Sequence, residues 1–88
     1  MTSVEHAIYT RVMSKVRMTA AARRRASKTR VMAALRNAGN PLLVDGNRAY
    51  YIGTDNRGIE LELILTANPD GSWTCIHAMP THYRKNWE

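Results

Sequence analysis

The segment richest in reactive side chains is Ile76-His77-Ala78-Met79-Pro80-Thr81-His82-Tyr83-Arg84-Lys85-Asn86-Trp87. A β-like run ends at Pro80, and a histidine, a tyrosine, an arginine and a lysine then follow in consecutive positions. An imidazole can take or give a proton near neutral pH, a phenol can donate a hydrogen bond, and guanidinium and ammonium groups can hold a phosphate. Metal-independent RNA cleavage asks for those groups: a base for the 2′-OH proton, a cation for the charge on the phosphorane, and an acid for the leaving 5′-oxygen. His82 and Tyr83 are candidates for the proton transfers, and Arg84, Lys85 and Arg48 for the phosphate. The plainer alternative is a frayed terminal extension, since chain ends often lack order.

His77 is a second catalytic candidate, placed mid-strand. Strict alternation puts Trp73, Cys75 and Met79 on its face, and Thr74, Ile76 and Ala78 on the other. Pointing into an open sheet face beside Glu60 or Glu62, it would suit acid–base work. The alternative is a structural histidine bonded to backbone. Glu60 and Glu62 share one face of their strand and read either as paired carboxylates or as its solvated side. Tyr50 and Tyr51 must face opposite sides, so one is core and the other is free to stack on a base. Cys75-x-His77 with His82 lacks a second thiol or a zinc-spaced ligand pair, so neither a metal site nor a cofactor is expected.

Two kinds of element must position these groups. Ile8, Tyr9, Val12, Met13 and Val16 recur with a 3.6-residue period, which predicts a first helix capped by Ser3. Thr19 and Ser27 are competing caps for a second helical region, which is either one helix or two pieces broken near Ala26. Its apolar stripe is Val31, Met32, Ala34, Leu35 and Ala38, and Gly39 and Pro41 end it. The period then changes to two. Strands are predicted over 42–44, 48–53, 59–67 and 72–79, separated by turns at Asp45-Gly46-Asn47, Asp55-Asn56-Arg57-Gly58 and Asn68-Pro69-Asp70-Gly71. The expected architecture is α+β: two N-terminal helices packed on one face of a four-stranded antiparallel sheet. The helices should cover Leu61, Leu63 and Leu65, with Ile8, Val12, Val16, Val31 and Leu35 completing the core, and leave the other sheet face open.

Eighty-eight residues form one domain, divided into a basic helical half (1–40), a sheet (41–80) and a basic tail (81–88). The single cysteine excludes an intrachain disulfide framework and suits a reducing cytoplasm. No apolar run resembles a signal peptide, and the most apolar strand is far too short to span a bilayer. Net charge is +6, unevenly placed: residues 1–36 carry nine Lys or Arg against Glu5 alone, and the remainder is slightly acidic. A basic half of this kind implies a polyanionic or acidic partner, with nucleic acid first and an acidic protein second. Arg23, Arg24 and Arg25 span too wide an arc of a helix to share one face, so that cluster is solvated or in contact with a partner, and it is counted among the RNA-binding candidates.

Val31-Met32-Ala33-Ala34-Leu35-Arg36-Asn37, Arg48-Ala49-Tyr50-Tyr51-Ile52-Gly53, Gly58-Ile59-Glu60-Leu61-Glu62-Leu63 and Ile76-His77-Ala78-Met79-Pro80 occur in an order that resembles small BrnT-type toxins. The resemblance is to the compact actinobacterial and phage versions grouped with DUF4258 domains, and Ser3-x-x-His6-Ala7 with Arg11 and Arg17 is similar to that family's opening. It implies a RelE-like fold and a type II toxin–antitoxin role: an endoribonuclease that cleaves mRNA, on or off the ribosome, and stops translation. It further implies a cognate antitoxin, often a ribbon-helix-helix protein, that wraps the toxin in a hetero-oligomer. The acidic, Trp-containing first strand of the family is missing, Arg23 to Arg25 are outside its pattern, and the tail after Pro80 is particular to this chain. The alternative is a non-catalytic module that binds nucleic acid or a partner, including a phage-encoded inhibitor of a host protein.

Overall fold

The computed structural model describes residues 15–83. Its elements run β1 (Val16–Met18), α1 (Ala20–Arg25), α2 (Lys28–Ala38), β2 (Leu43–Asp45), β3 (Arg48–Thr54), β4 (Glu60–Ala67) and β5 (Trp73–Pro80). The sheet is five-stranded and mixed, in the order β1-β5-β4-β3-β2. The broad α+β class holds. The expected four-stranded antiparallel sheet preceded by two helices does not, because a strand precedes both described helices and adds to the sheet in parallel.

That strand is the main correction. Val16, Arg17 and Met18 pair in parallel with Trp73, Thr74 and Cys75. The ladder is extended by Trp73 N–H donating to Lys15 O at 2.9 Å and Thr19 N–H donating to Cys75 O at 3.1 Å. Val16 fits a helical period with the residues before it, yet it is a β-branched residue that buries equally well in a strand. The rest of the first predicted helix, with its candidate core residues Ile8 and Val12, lies outside the described residues.

The helical region is two pieces. Thr19 Oγ1 accepts from Ala22 N–H at 3.2 Å and starts α1; Ser27 Oγ accepts from Arg30 N–H at 3.3 Å and starts α2. Between them Ala26 is extended, with φ −155° and ψ 137°. Two good caps eight residues apart each satisfy a helix start, and the chain uses both. Gly39, at φ 72°, ends α2 in the left-handed region that costs glycine least.

β2 to β5 form the expected meander, with ends within one or two residues of those predicted. Leu61, Leu63 and Leu65 are buried against Val31, Ala34 and Leu35 of α2 and against Ala22 and Ala26. Tyr51, Cys75 and Ala78 complete that side. Gly53 permits the close seat of α2, since a Cβ there would overlap the Ala34 carbonyl oxygen and lie 2.8 Å from Ala38 Cβ.

Asp55 ties α2 to the β3–β4 turn. Its side chain is fully buried; Oδ2 accepts from Arg30 Nε at 2.6 Å, and Oδ1 accepts from the N–H groups of Arg57 and Ile59 at 2.8 and 2.9 Å. Burial pushes the carboxyl pKa up, but the bonds from Arg30, Ile59 and Arg57 together outweigh it and hold the group below its ordinary range. A carboxyl depressed on folding contributes stability that is complete above its unfolded pKa and is lost as pH falls through the folded value. The urea midpoint of Asp55→Asn should therefore lie below that of the native chain at neutral pH. The two should converge as pH drops below the carboxylate range, and a gap independent of pH would show that the charge contributes nothing.

Candidate functional site

The face of the sheet opposite α2 carries Arg48, Tyr50, Ile52 and Thr54 of β3 beside Thr66, Ile64, Glu62 and Glu60 of β4. A concavity of about 220 Å³ opens there, lined by Leu42, Tyr50, Ile52, Glu62, Ile64 and His77 among others. His77 Nε2 lies 2.9 Å from Glu62 Oε1. A carboxylate only accepts, so in the neutral ring that makes this bond Nε2 carries the proton and Nδ1 keeps the lone pair. Glu62 is nearly buried, whereas a third of the His77 side chain meets solvent. This is a partly exposed imidazole in the wall of the concavity with a carboxylate to orient it, an arrangement that can serve a general base.

An irregularity in β5 aims His77 there. Ile64 pairs with His77, but the next residue of β4, Leu65, pairs with Cys75, so Ile76 is the extra residue of a β-bulge. The bulge reverses the alternation. Cys75 faces the helices and His77 the open side, where strict counting by twos places them together. Burial pushes the Cys75 thiol up to about 11, and its S–H donates to His77 O at 3.2 Å, so it is an unreactive core group. Among the described residues no group of three or more His, Cys, Asp or Glu stands close enough to hold a metal ion.

The two tyrosines separate as the pleat requires: Tyr51 is buried in the core, and Tyr50 lines the concavity with its ring half-buried. Glu60 accepts from Thr81 Oγ1 at 2.8 Å. That bond holds the 3₁₀ turn over 81–83 on the same face as Glu62, roughly 7 Å further along β4 for two residues of strand. His82 and Tyr83 sit in this turn with their rings edge to face, 4.7 Å apart. Among the described residues no hydrogen bond joins them to His77. Arg84 and Lys85 lie outside the described residues. Arg48 is exposed at the Thr66 end of the same face. Arg23, Arg24 and Arg25 close α1 and are exposed; none lines the concavity, and Arg25 Nη1 donates to Met79 Sδ at 3.6 Å.

Comparison with protein-family models, with characterised proteins and with solved structures gave no match. Two features stand beyond the sequence reading. Arg30 belongs to the basic half by count but is committed to Asp55, so it is not available to a polyanion. The outer edge of the sheet is apolar and open: Leu42, and Leu43 and Val44 of the edge strand β2, are 68, 57 and 55% exposed. Three consecutive apolar residues carry no period-two signal of which way they face. Among the described residues no helix is long and apolar enough to cross a membrane.

Proposed function

We propose that this chain is a metal-independent endoribonuclease acting on mRNA in the cytoplasm as the toxin of a type II toxin–antitoxin pair. One observation carries the reading: an imidazole held by a carboxylate at 2.9 Å inside a concavity that also presents an aromatic ring. In this scheme His77 Nδ1 takes the 2′-OH proton, Glu62 orients the imidazole and stabilises its charged form, and Tyr50 stacks on a base. Arg48 and the tail cations Arg84 and Lys85 meet the phosphate, and His82 or Tyr83 returns a proton to the leaving 5′-oxygen. The sequence resemblance to BrnT-type toxins and the basic N-terminal half support the same substrate class. Induced expression in a bacterial host should arrest growth and fragment mRNA. The purified protein should cleave RNA in EDTA and leave 2′,3′-cyclic phosphate ends, because the 2′-oxygen is the nucleophile. Growth arrest with intact mRNA would sink the catalytic reading.

The exposed apolar edge of Leu42, Leu43 and Val44 favours a second reading, a non-catalytic module that docks a partner protein. Growth effects that vanish on replacing those three residues, but not on replacing His77, would select it.

A further inference from the structure

A second, polar concavity of about 340 Å³, which shares no lining residue with the first, lies where β1, the start of α2 and the β4–β5 turn meet. It is lined by Lys15, Val16, Arg17, Lys28, Asp70 and Ser72. Three cations from two parts of the chain, Lys15 and Arg17 flanking Val16 and Lys28 opening α2, thus line one space, against a single carboxylate.

That carboxylate is already bonded within the wall of the concavity. Asp70 Oδ1 accepts from Ser72 Oγ at 2.6 Å and from Ser72 N–H at 2.9 Å. These bonds, with Arg17 alongside, hold its pKa down at about 2, so it is ionised at any working pH. Its Oδ2 accepts from Arg17 Nη2 at 3.3 Å, which positions the guanidinium while leaving its other donors free for a ligand. Lys15 and Lys28 have no carboxylate within salt-bridge distance among the described residues and are exposed. The contrast with Arg30 is direct, since that guanidinium is consumed by a buried aspartate. Like charges gathered without partners repel one another, and an anion between them removes that repulsion.

From this geometry we infer that the Lys15–Arg17–Lys28 concavity is an anion site that takes a phosphate group of an RNA backbone. The choice of RNA as the source of that phosphate rests on the function proposed above; the site itself rests on the convergence of the three cations. Ser72 starts the segment that leads into β5, and His77 stands five residues further on, roughly 17 Å along an extended strand. The site is therefore separate from the His77–Glu62 centre and would fix the substrate strand at a distance from the bond that breaks. Contacts of this kind set register and add affinity without reading sequence.

The test is binding of a fluorescent single-stranded RNA by the full chain over a range of salt concentrations. Each cation that meets a phosphate contributes about 0.7 to the slope of log affinity against log salt. The double variant Lys15→Gln/Lys28→Gln should reduce that slope by about 1.4 and weaken binding alike for unrelated sequences. Arg36→Gln, an exposed cation in the last turn of α2, is the control for net charge and should leave the slope nearly unchanged. Titration with inorganic phosphate, followed by backbone amide NMR, should shift Lys15, Arg17, Lys28 and Ser72 first. An equal effect per charge from Arg36→Gln, with no localised phosphate shifts, would overturn the site. Localised phosphate shifts in a protein that binds no RNA would uphold the anion site and overturn RNA as its source. RNA cleavage that is lost in His77→Ala while the salt slope is retained would show the two sites to be independent, as inferred.

Discussion

Replacing His77 with Ala should lower RNA cleavage by about 10²–10⁴-fold, the usual cost of removing one general acid–base group. That range corresponds to roughly 3–5 kcal/mol of transition-state stabilisation at 1.36 kcal/mol per decade. Glu62→Gln is the more telling variant. It keeps the shape of the side chain and can still accept from Nε2–H, but it removes the charge that stabilises the imidazolium. The expected result is a smaller loss than for His77→Ala, with the double variant no worse than the His77 single variant, because the two residues act as one unit. Tyr50→Leu should weaken substrate binding more than turnover, since stacking precedes the chemistry. Rates and KM values on one short RNA, with circular dichroism to confirm folding, decide among these outcomes. If His77→Ala and Glu62→Gln cleave at the native rate while His82→Ala or Tyr83→Phe does not, the centre lies in the turn after Pro80 and not in the concavity.

Local and long-range features of this fold leave unequal traces in its sequence, for physical reasons. The antiparallel meander was legible because its information is local: a tight turn such as Asp45-Gly46-Asn47 and period-two alternation lie within a dozen residues of one another. β1 was not. Its partner strand lies at the far end of the chain, and a parallel pair needs no turn to announce it. Val16 could serve the stripe of a helix or the buried face of a strand, and nothing nearby decided between them. Glu62 was legible in part, since Glu60 and Glu62 were both expected as neighbours of His77. Alternation with leucines put it on the face opposite α2, but only the register of β4 against β5, with the bulge at Ile76, brings His77 to it. Bulges leave little trace in a single sequence, so alternation alone puts Cys75 and His77 on one face. Asp55 carried a signal that was read only in part. An aspartate opening Asp-Asn-Arg-Gly implies a turn, and its Oδ1 does accept from Arg57 N–H. The buried bond to Arg30 is again a long-range fact.

Gly53→Ala should destabilise the fold by at least the ~1–3 kcal/mol typical of an overpacked core, and its effect should spread to the site. The backbone of Gly53 is not in the left-handed region, so the cost does not come from φ and ψ. It comes from contact. The added Cβ would overlap the carbonyl oxygen of Ala34 and press on Ala38 Cβ at 2.8 Å. A flexible side chain could turn aside; a helix backbone cannot, so α2 must lift from β3. Lifting α2 also strains the Arg30–Asp55 pair, which has one partner on the helix and the other beyond the end of β3. Ile52, the neighbour of Gly53, lines the concavity and pairs with Glu62 across the sheet, so a displaced β3 disturbs the wall around His77. Thermal unfolding should therefore show a lowered midpoint, and RNA cleavage below that midpoint should fall as well. Ile52→Thr, an exposed change on the same strand, should leave the midpoint close to native. A Gly53→Ala protein with a native midpoint would mean that α2 is not seated on β3 as closely as the contact geometry requires.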